Sequence, residues 1–237
     1  MIFAGILAGG YGWDQKREDM PKQYMLLGQK AIILHTIEQF IINPKIDYII
    51  IAAPSNWLIY TEELVKKNCF TDKPIIIVEG GKNKYQTIIR IANYIEKNFK
   101  ITDDDICVYH DAIRPFVTQR IINDNLQKAE KCQAVSTVVP TVDTIIRSDN
   151  GKVVDEIPAK KNLYAEQTPQ TFHVNALLYV NKQLNQGEEN QIVNAFRSFL
   201  QQGNEVQIVN GEFSNIKIVT QYDLEVANAL IRDKKND

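Results

Sequence analysis

Short, continuous runs of apolar residues, many of them β-branched, alternate along this chain with segments of helical period. Residues 48–53 read YIIIAA and residues 75–78 read IIIV. Runs without polar alternation are typical of strands covered on both faces, as in parallel sheets between helices. Six such runs are predicted strands: 2–7, 48–53, 75–78, 106–109, 134–139 and 206–209.

The segments between these runs favour helices. In one of them, Ile88, Ile91, Ala92 and Ile95 follow the i, i+3, i+4, i+7 spacing of a single buried stripe. Predicted helices span 31–42, 57–68, 85–98, 118–131 and 221–232. This alternation predicts an α/β fold with a mostly parallel sheet, and we expect residues 1–237 to form a single domain.

The segment 142–157 interrupts the alternation. The segments Thr144-Ile145-Ile146 and Val153-Val154 flank the turn Asp149-Asn150-Gly151, and Asn-Gly is typical of a β-hairpin turn. We therefore expect a β-arm over about 141–158. It could pack on its own domain or serve as an oligomerisation arm.

Composition excludes several classes of protein. The chain is 44% hydrophobic, with 27 Lys+Arg against 29 Asp+Glu, which argues against disorder and against a nucleic-acid-coating surface. No apolar stretch approaches the roughly 20 residues of a membrane span, and the start, MIFAGILAGG, lacks the basic region of a signal peptide. We expect a cytoplasmic protein that binds neither nucleic acid nor membrane, and any anionic ligand must be held by local cations.

The first predicted strand ends in a glycine turn, Leu7-Ala8-Gly9-Gly10-Tyr11-Gly12. Closely spaced glycines let backbone N–H groups approach phosphates. The turn matches neither the GxGxxG fingerprint nor a Walker A loop, so a purely structural turn stays open. Lys22 follows Pro21 on a stiffened loop at the edge where open α/β sheets bind ligands, although a solvated surface lysine is the alternative.

Further polar residues are predicted at the same edge. Asp111 follows the strand 106–109, where a carboxylate could hold a divalent cation that shields phosphate charge, while pairing with Arg114 is the alternative. Thr168 and Lys217 add a hydroxyl and a cation. Together these residues predict a nucleoside triphosphate site with Asp111 as metal anchor.

Seven motifs occur in order across nearly the whole chain: LAGGxG, PKQ, GG, HDAIRPF, DTI, QTPQTF and NIK. With them the sequence resembles the cytidylyltransferases that join CTP to a polyol phosphate. Its opening, FAGILAGG, is most similar to the ribitol-5-phosphate type, and the methylerythritol-phosphate type shares the motifs. The resemblance implies a Rossmann-like nucleotidyltransferase fold, Mg²⁺ or another divalent cation, CTP and a small polyol phosphate as substrates, and a homodimer formed through the β-arm.

The resemblance also implies residue roles. Lys22 would stabilise the transition state, Asp111 would face the metal, and the arm would deliver Lys160 to the polyol phosphate. Residues implied to hold the nucleotide or to lie beside it are Leu7, Ala8, Gly9, Gly10, Gly81, Lys84, Thr87, Asp111 and Thr168. Residues implied to act in catalysis are Lys22, Lys160 and Lys217. Arg17 is a further catalytic candidate, because it could supply the positive charge that the family places at position 14.

The chain departs from the family pattern GxGxRMG before PKQ. Asp14 occupies the arginine position and Lys16 the following glycine position. Like charges about 4 Å apart repel by ~4 kcal/mol at an effective dielectric near 20, so Asp14 opposes a triphosphate unless Lys16 or Arg17 compensates.

Milder departures accompany this one. Lys84 and Lys160 replace arginines and lose bidentate geometry, and Asn194 stands where an aspartate is usual. The hypotheses are an active cytidylyltransferase with a phosphate loop rebuilt around Lys16 or Arg17, and a catalytically weak homologue that binds a nucleotide or a partner. A third hypothesis is an enzyme for another polyol phosphate.

Overall fold

The computed structural model describes residues 1–9, 20–184 and 194–233. Within these residues the strands are β1 (Ile2–Leu7), β2 (Leu26–Leu27), β3 (Lys30–Ala31), β4 (Tyr48–Ala53), β5 (Ile75–Glu79), β6 (Ile106–Asp111), β7 (Ala134–Pro140), β8 (Tyr164–His173) and β9 (Gln207–Asn210). The helices are α1 (Ile32–Ile41), α2 (Leu58–Asn68), α3 (Lys84–Asn98), α4 (Gln119–Ala129), α5 (Val174–Lys182), α6 (Ala195–Gln201) and α7 (Gln221–Asp233).

The main sheet of the described chain has seven strands in the order β5-β4-β1-β6-β8-β7-β9. The first four are parallel to one another. Leu7 pairs with Ala52 on one side and with Asp111 on the other, so the carboxyl ends of β4, β1 and β6 meet at one edge. The predicted α/β fold with a mostly parallel sheet is confirmed.

Helices cover both faces of the sheet. On β4, Ile49 and Ile51 pack with α1 and α4, whereas Ile50 and Ala52 pack with α3 and α5. All four side chains are fully buried. Burying an isoleucine stabilises a fold by about 1.5–3 kcal/mol, so both faces of β4 contribute and the strand has no polar alternation.

β8 is a strand that the hydrophobic pattern did not predict. It runs antiparallel to β6 and β7, and it contains Pro169 among polar residues, which is not typical of an interior strand. Its Gln167, Thr168 and Thr171 are nonetheless buried, and each makes side-chain hydrogen bonds. Helices α5 and α6 were also not predicted, because nine and seven residues are too short for a helical period to show clearly.

The arm differs from the predicted hairpin. The chain reverses at Asn150-Gly151, but the two predicted strands are absent from the described segment 141–163, where one bridge joins Arg147 and Glu156. Six apolar side chains on the arm are at least 43% exposed, namely Val142, Ile145, Ile146, Val153, Val154 and Ile157. An isolated two-stranded hairpin is marginal in water, and here no second layer buries its apolar side chains.

Within the described ranges, no helix combines the length and the apolar character needed to span a membrane.

Candidate active site

A cavity of about 170 Å³ opens at the carboxyl edge of β1 and β6. It lies between Ala8 and Gly9, which follow β1, and the amino end of α3. Its lining residues are Leu7, Ala8, Gly9, Gln23, Gly81, Lys82, Asn83, Lys84, Thr87, Asp111, Ala112, Ile113 and Lys217. Seven of the residues that the family resemblance assigned to CTP are among them, together with Lys217.

Glycines allow the backbone segments at this edge to lie close together. A Cβ on Gly80 would lie 2.9 Å from the Cα of Gly9, and a Cβ on Gly81 would lie 2.5 Å from the Cβ of Gln86. The Gly81 N–H donates to Thr87 Oγ1 at 3.0 Å, which ties the second glycine loop to the first turn of α3. Both loops therefore present backbone to the cavity without side chains in the way.

The amino end of α3 lines the same cavity. Asn83 is the N-cap, and its Oδ1 accepts a hydrogen bond from Gln86 N at 2.8 Å. The first N–H groups of a helix lack partners within the helix, and the helix dipole is positive at this end. Lys82 and Lys84 flank the cap, so this part of the wall favours an anion.

Asp111 stands at the centre of a cluster of cations. Its carboxylate lies 3.2 Å from Lys217 Nζ, 3.2 Å from Arg114 Nε and 3.7 Å from Lys84 Nζ. Burial alone would raise the pKa of Asp111, but the three positive charges outweigh it and hold the pKa well below the ordinary value. The carboxylate stays ionised, and the cluster keeps a positive excess that can interact with phosphate.

The sequence left open whether Asp111 binds a metal or pairs with Arg114. The structure contains the ion pair with Arg114, together with ion pairs to Lys84 and Lys217.

No group of three or more metal-ligating His, Cys, Asp or Glu side chains exists in the part of the chain that the structure describes. Mg²⁺ is commonly held by one or two carboxylates together with substrate phosphates. Among the described residues Asp111 supplies the one carboxylate that lines the cavity, and it fits Mg²⁺ in that shared arrangement.

Thr168 lies behind the cavity wall. Its Oγ1 accepts a hydrogen bond from Asp111 N at 3.1 Å and lies 2.9 Å from His110 Nδ1. His110 is fully buried, and burial lowers its pKa to about 4. Thr168 therefore supports Asp111 from β8 and does not line the cavity.

The structure does not bring every predicted catalytic residue to the cavity. Lys22 Nζ donates to the carbonyl of Val219, at the amino end of α7, and Lys160 Nζ donates to the carbonyl of Val142 at the base of the arm. Gly10 and Arg17 lie outside the described residues, as do Asp14 and Lys16.

Several cavity residues were not predicted as site residues. Gln23 lines the cavity, and its Nε2 donates to the carbonyl of Ala8 at 2.7 Å, which anchors the end of β1. It belongs to the PKQ motif, in which the neighbouring Lys22 was the predicted site residue. Asn83 carries a helix-start signal, an N-cap residue before an apolar stripe, that could have identified it.

Comparison with known proteins identifies the family to which the chain belongs. Residues 2–233 match the sequence profile of the 2-C-methyl-D-erythritol 4-phosphate cytidylyltransferase family. A ribitol-5-phosphate cytidylyltransferase of Lactiplantibacillus plantarum is 42% identical over 234 residues, covering 99% of this chain and 100% of the relative.

Two solved structures share the fold. The 4-diphosphocytidyl-2C-methyl-D-erythritol synthase of Anaerococcus prevotii superposes with a TM-score of 0.79 at 22% identity, covering 98% of each chain. The 2-C-methyl-D-erythritol 4-phosphate cytidylyltransferase of Francisella tularensis gives 0.78 at 27% identity, covering 96% of this chain and 98% of that one. The chain therefore belongs to the 2-C-methyl-D-erythritol 4-phosphate cytidylyltransferase family, the resemblance that its ordered motifs predicted.

Proposed function

We propose that this protein transfers the cytidylyl group of CTP to D-ribitol 5-phosphate, giving CDP-ribitol and pyrophosphate. The observation that carries the proposal is the cluster of Lys84, Arg114 and Lys217 around Asp111, beside the glycine loops. The choice of acceptor rests on the full-length relative at 42% identity, which is a ribitol-5-phosphate cytidylyltransferase.

The chemistry is a displacement at phosphorus. An oxygen of the acceptor phosphate attacks the α-phosphorus of CTP, and a new P–O bond forms. The bond from that phosphorus to the oxygen bridging the β-phosphate breaks, and its electron pair leaves with pyrophosphate. Negative charge spreads over the phosphoryl oxygens in the transition state, where preorganised cations contribute most.

Each part of the cavity has a role in this reaction. The glycine turn at Ala8 and Gly9 and the amino end of α3 would bind CTP through backbone N–H groups. Lys84 would bind the triphosphate, and Lys217 would bind the acceptor phosphate. Asp111 would hold Mg²⁺ jointly with the triphosphate oxygens, and the ion would neutralise phosphate charge.

Lys22 and Lys160 do not line the cavity, so in this proposal each ammonium group must move to reach a phosphate. The Lys22 ammonium must leave the Val219 carbonyl to reach a phosphate, which a flexible lysine side chain can do by changing rotamers. Lys160 would approach the acceptor from the arm.

We also propose that the protein is a cytoplasmic homodimer joined through the arm, since the apolar side chains there are exposed.

A turnover screen tests the reaction. Pyrophosphate release is measured with CTP, UTP, ATP and GTP, each against D-ribitol 5-phosphate and 2-C-methyl-D-erythritol 4-phosphate. We expect the highest kcat/KM for CTP with D-ribitol 5-phosphate. A preference for the methylerythritol acceptor would establish the second candidate function, which the matched family profile favours.

Asp14 defines a second test. CTP binding without turnover at high enzyme concentration would mean that the protein is a catalytically weak homologue. In an active protein whose loop is rebuilt around Lys16 or Arg17, Asp14→Arg should not raise turnover, because the compensating charge is already present. A sharp rise would show an impaired loop, and Asp72→Arg, the same charge change at an exposed position, is the control.

A further inference from the structure

His110 is a buried histidine directly before Asp111, and the reaction described above does not use it. Its Nε2 lies 3.0 Å from the carbonyl oxygen of Arg114, and its Nδ1 lies 2.9 Å from Thr168 Oγ1. The ring packs against Phe40, with 5.5 Å between ring centroids. Both ring nitrogens are therefore committed to partners within the protein.

The partners select one tautomer of the ring. A carbonyl oxygen can only accept, so the Nε2 that faces Arg114 must carry the proton. Thr168 Oγ1 accepts from Asp111 N at 3.1 Å and has one proton to donate, which goes to the unprotonated Nδ1. The chain of donors runs from Asp111 N through Thr168 and His110 to the Arg114 carbonyl.

This chain closes a ring around the turn that presents the cation cluster. Arg114 Nε donates to Asp111 at 3.2 Å, and Arg114 Nη1 donates to the carbonyl of Asn215 at 2.8 Å. Asn215 Nδ2 in turn donates to the carbonyl of Thr168 at 2.9 Å. The end of β6, the middle of β8 and the loop before Lys217 are thereby joined.

We propose that His110 is a positioning residue for the transfer reaction: its Nε2–H tautomer, selected by Thr168, holds the turn that carries Asp111 and Arg114. The inference rests on the proposed function. His110 touches no substrate, and it acts by fixing the carboxylate and the guanidinium at the distance that transfer requires. A displacement of about 1 Å in such groups can cost on the order of 10²-fold in rate.

Kinetics of matched variants test the positioning role. His110→Phe keeps an aromatic ring but leaves Thr168 and Arg114 without their partner, and Thr168→Val removes the hydroxyl in the middle of the chain. We expect kcat to fall by on the order of 10²-fold in both, with a smaller loss of CTP affinity measured without acceptor. Thr168→Ser restores the hydroxyl and should recover most of kcat.

Two controls separate positioning from a general loss of stability. His173 also contacts two backbone carbonyls, of Asp103 and Ala129, but lies away from the cavity, so His173→Phe should leave kcat unchanged. In an Asp111→Asn, Arg114→Ala background, His110→Phe should add little further loss, since both positioned groups are already gone. Additive losses, or an unchanged kcat in His110→Phe, would overturn the inference.

The tautomer can be read without any turnover. In wild-type protein labelled with ¹⁵N-histidine, His110 Nε2 should resonate as a protonated nitrogen and Nδ1 as an unprotonated one. A protonated Nδ1 would overturn the inference even if the enzyme is active. Failure of the proposed function is distinct, because it would appear as a wild-type protein that releases no pyrophosphate with any acceptor.

Discussion

Asp111 is 8% exposed in its side chain, and it is ionised because three cations lie within 3.7 Å of its oxygens. We predict that Asp111→Asn lowers turnover by about 10²–10³-fold, because the geometry and charge of the cluster are lost at the reacting phosphates. The measurement is kcat with CTP and D-ribitol 5-phosphate. Turnover of Asp111→Asn within a few-fold of wild type would show that the transfer reaction does not depend on this carboxylate.

The same substitution should change the pH dependence of stability. A carboxyl group whose folded-state pKa lies below its ordinary value of about 3.9 stabilises the fold above that value, and this contribution is lost as pH falls through the folded pKa. Urea unfolding between pH 7 and pH 2 should therefore show a smaller acid loss in Asp111→Asn than in wild type. An equal loss of unfolding free energy at low pH in the two proteins would contradict a lowered pKa of Asp111.

Gly81 illustrates a glycine required by its neighbours. A Cβ at this position would lie 2.6 Å from the carbonyl carbon of Gln86 and 2.7 Å from Thr87 N, so the backbone must shift. We predict that Gly81→Ala weakens CTP binding at least tenfold by calorimetry. Gly151→Ala on the arm, where nothing lies within 4 Å, should bind CTP as wild type does, and equal losses in both would contradict the prediction.

The sequence indicated which residues could lie together at the carboxyl edge of the sheet, but it did not indicate the direction of their side chains. Asp111, Lys84 and Lys217 were predicted at one edge, and they form one cluster. Lys22 was predicted as a catalytic cation, yet its ammonium contacts Val219, 197 residues away in the chain. A lysine side chain has several rotatable bonds, so its direction depends on such distant partners.

Among the elements, α3 connects stability to nucleotide binding through its cap. Asn83 accepts from Gln86 N at 2.8 Å, and loss of an N-cap side chain costs about 1 kcal/mol. We predict that Asn83→Ala lowers both the unfolding free energy and the affinity for CTP. Thr118→Ala removes the cap of α4, outside the cavity, and should lower the unfolding free energy alone.

The arm is an element that lacks a covering layer. Ile157, one of the exposed apolar residues of the arm, is 63% exposed. If the arm forms the dimer interface, a carboxylate at this position would be buried at a high cost in free energy. We therefore predict that Ile157→Asp converts the dimer to a monomer, as measured by light scattering. Phe70→Asp, at an 88% exposed residue outside the arm, should leave the mass unchanged. A wild-type monomer, or an unchanged mass for Ile157→Asp, would contradict dimerisation through the arm.

The whole molecule carries a net charge of −2, so attraction of CTP depends on local cations. Ionic strength screens exposed charges over about 10 Å at 0.1 M, and we predict weaker CTP binding as salt rises. Lys84→Ala should reduce that salt dependence, whereas Lys131→Ala, the same charge change at an exposed position, should not. An affinity independent of salt would contradict the electrostatic account.

The amino-acid sequence was enough to identify the α/β fold class and the family, and it predicted a candidate site at the carboxyl edge of the sheet. A continuous β-branched run or a helical stripe of apolar residues can be recognised within a short stretch of sequence, so these elements can be predicted without knowledge of distant residues. That residues 1–237 form one domain stays a prediction.

The three-dimensional structure was needed to show how β8 enters the sheet, how Thr168 and His110 support Asp111, and where Lys22 points. Those features depend on hydrogen bonds between residues far apart in the chain, such as Asp111 with Thr168 at 57 residues and Arg114 with Asn215 at 101. A polar strand such as β8 is stable because its partners satisfy its buried groups, and those partners exist only once the chain has folded.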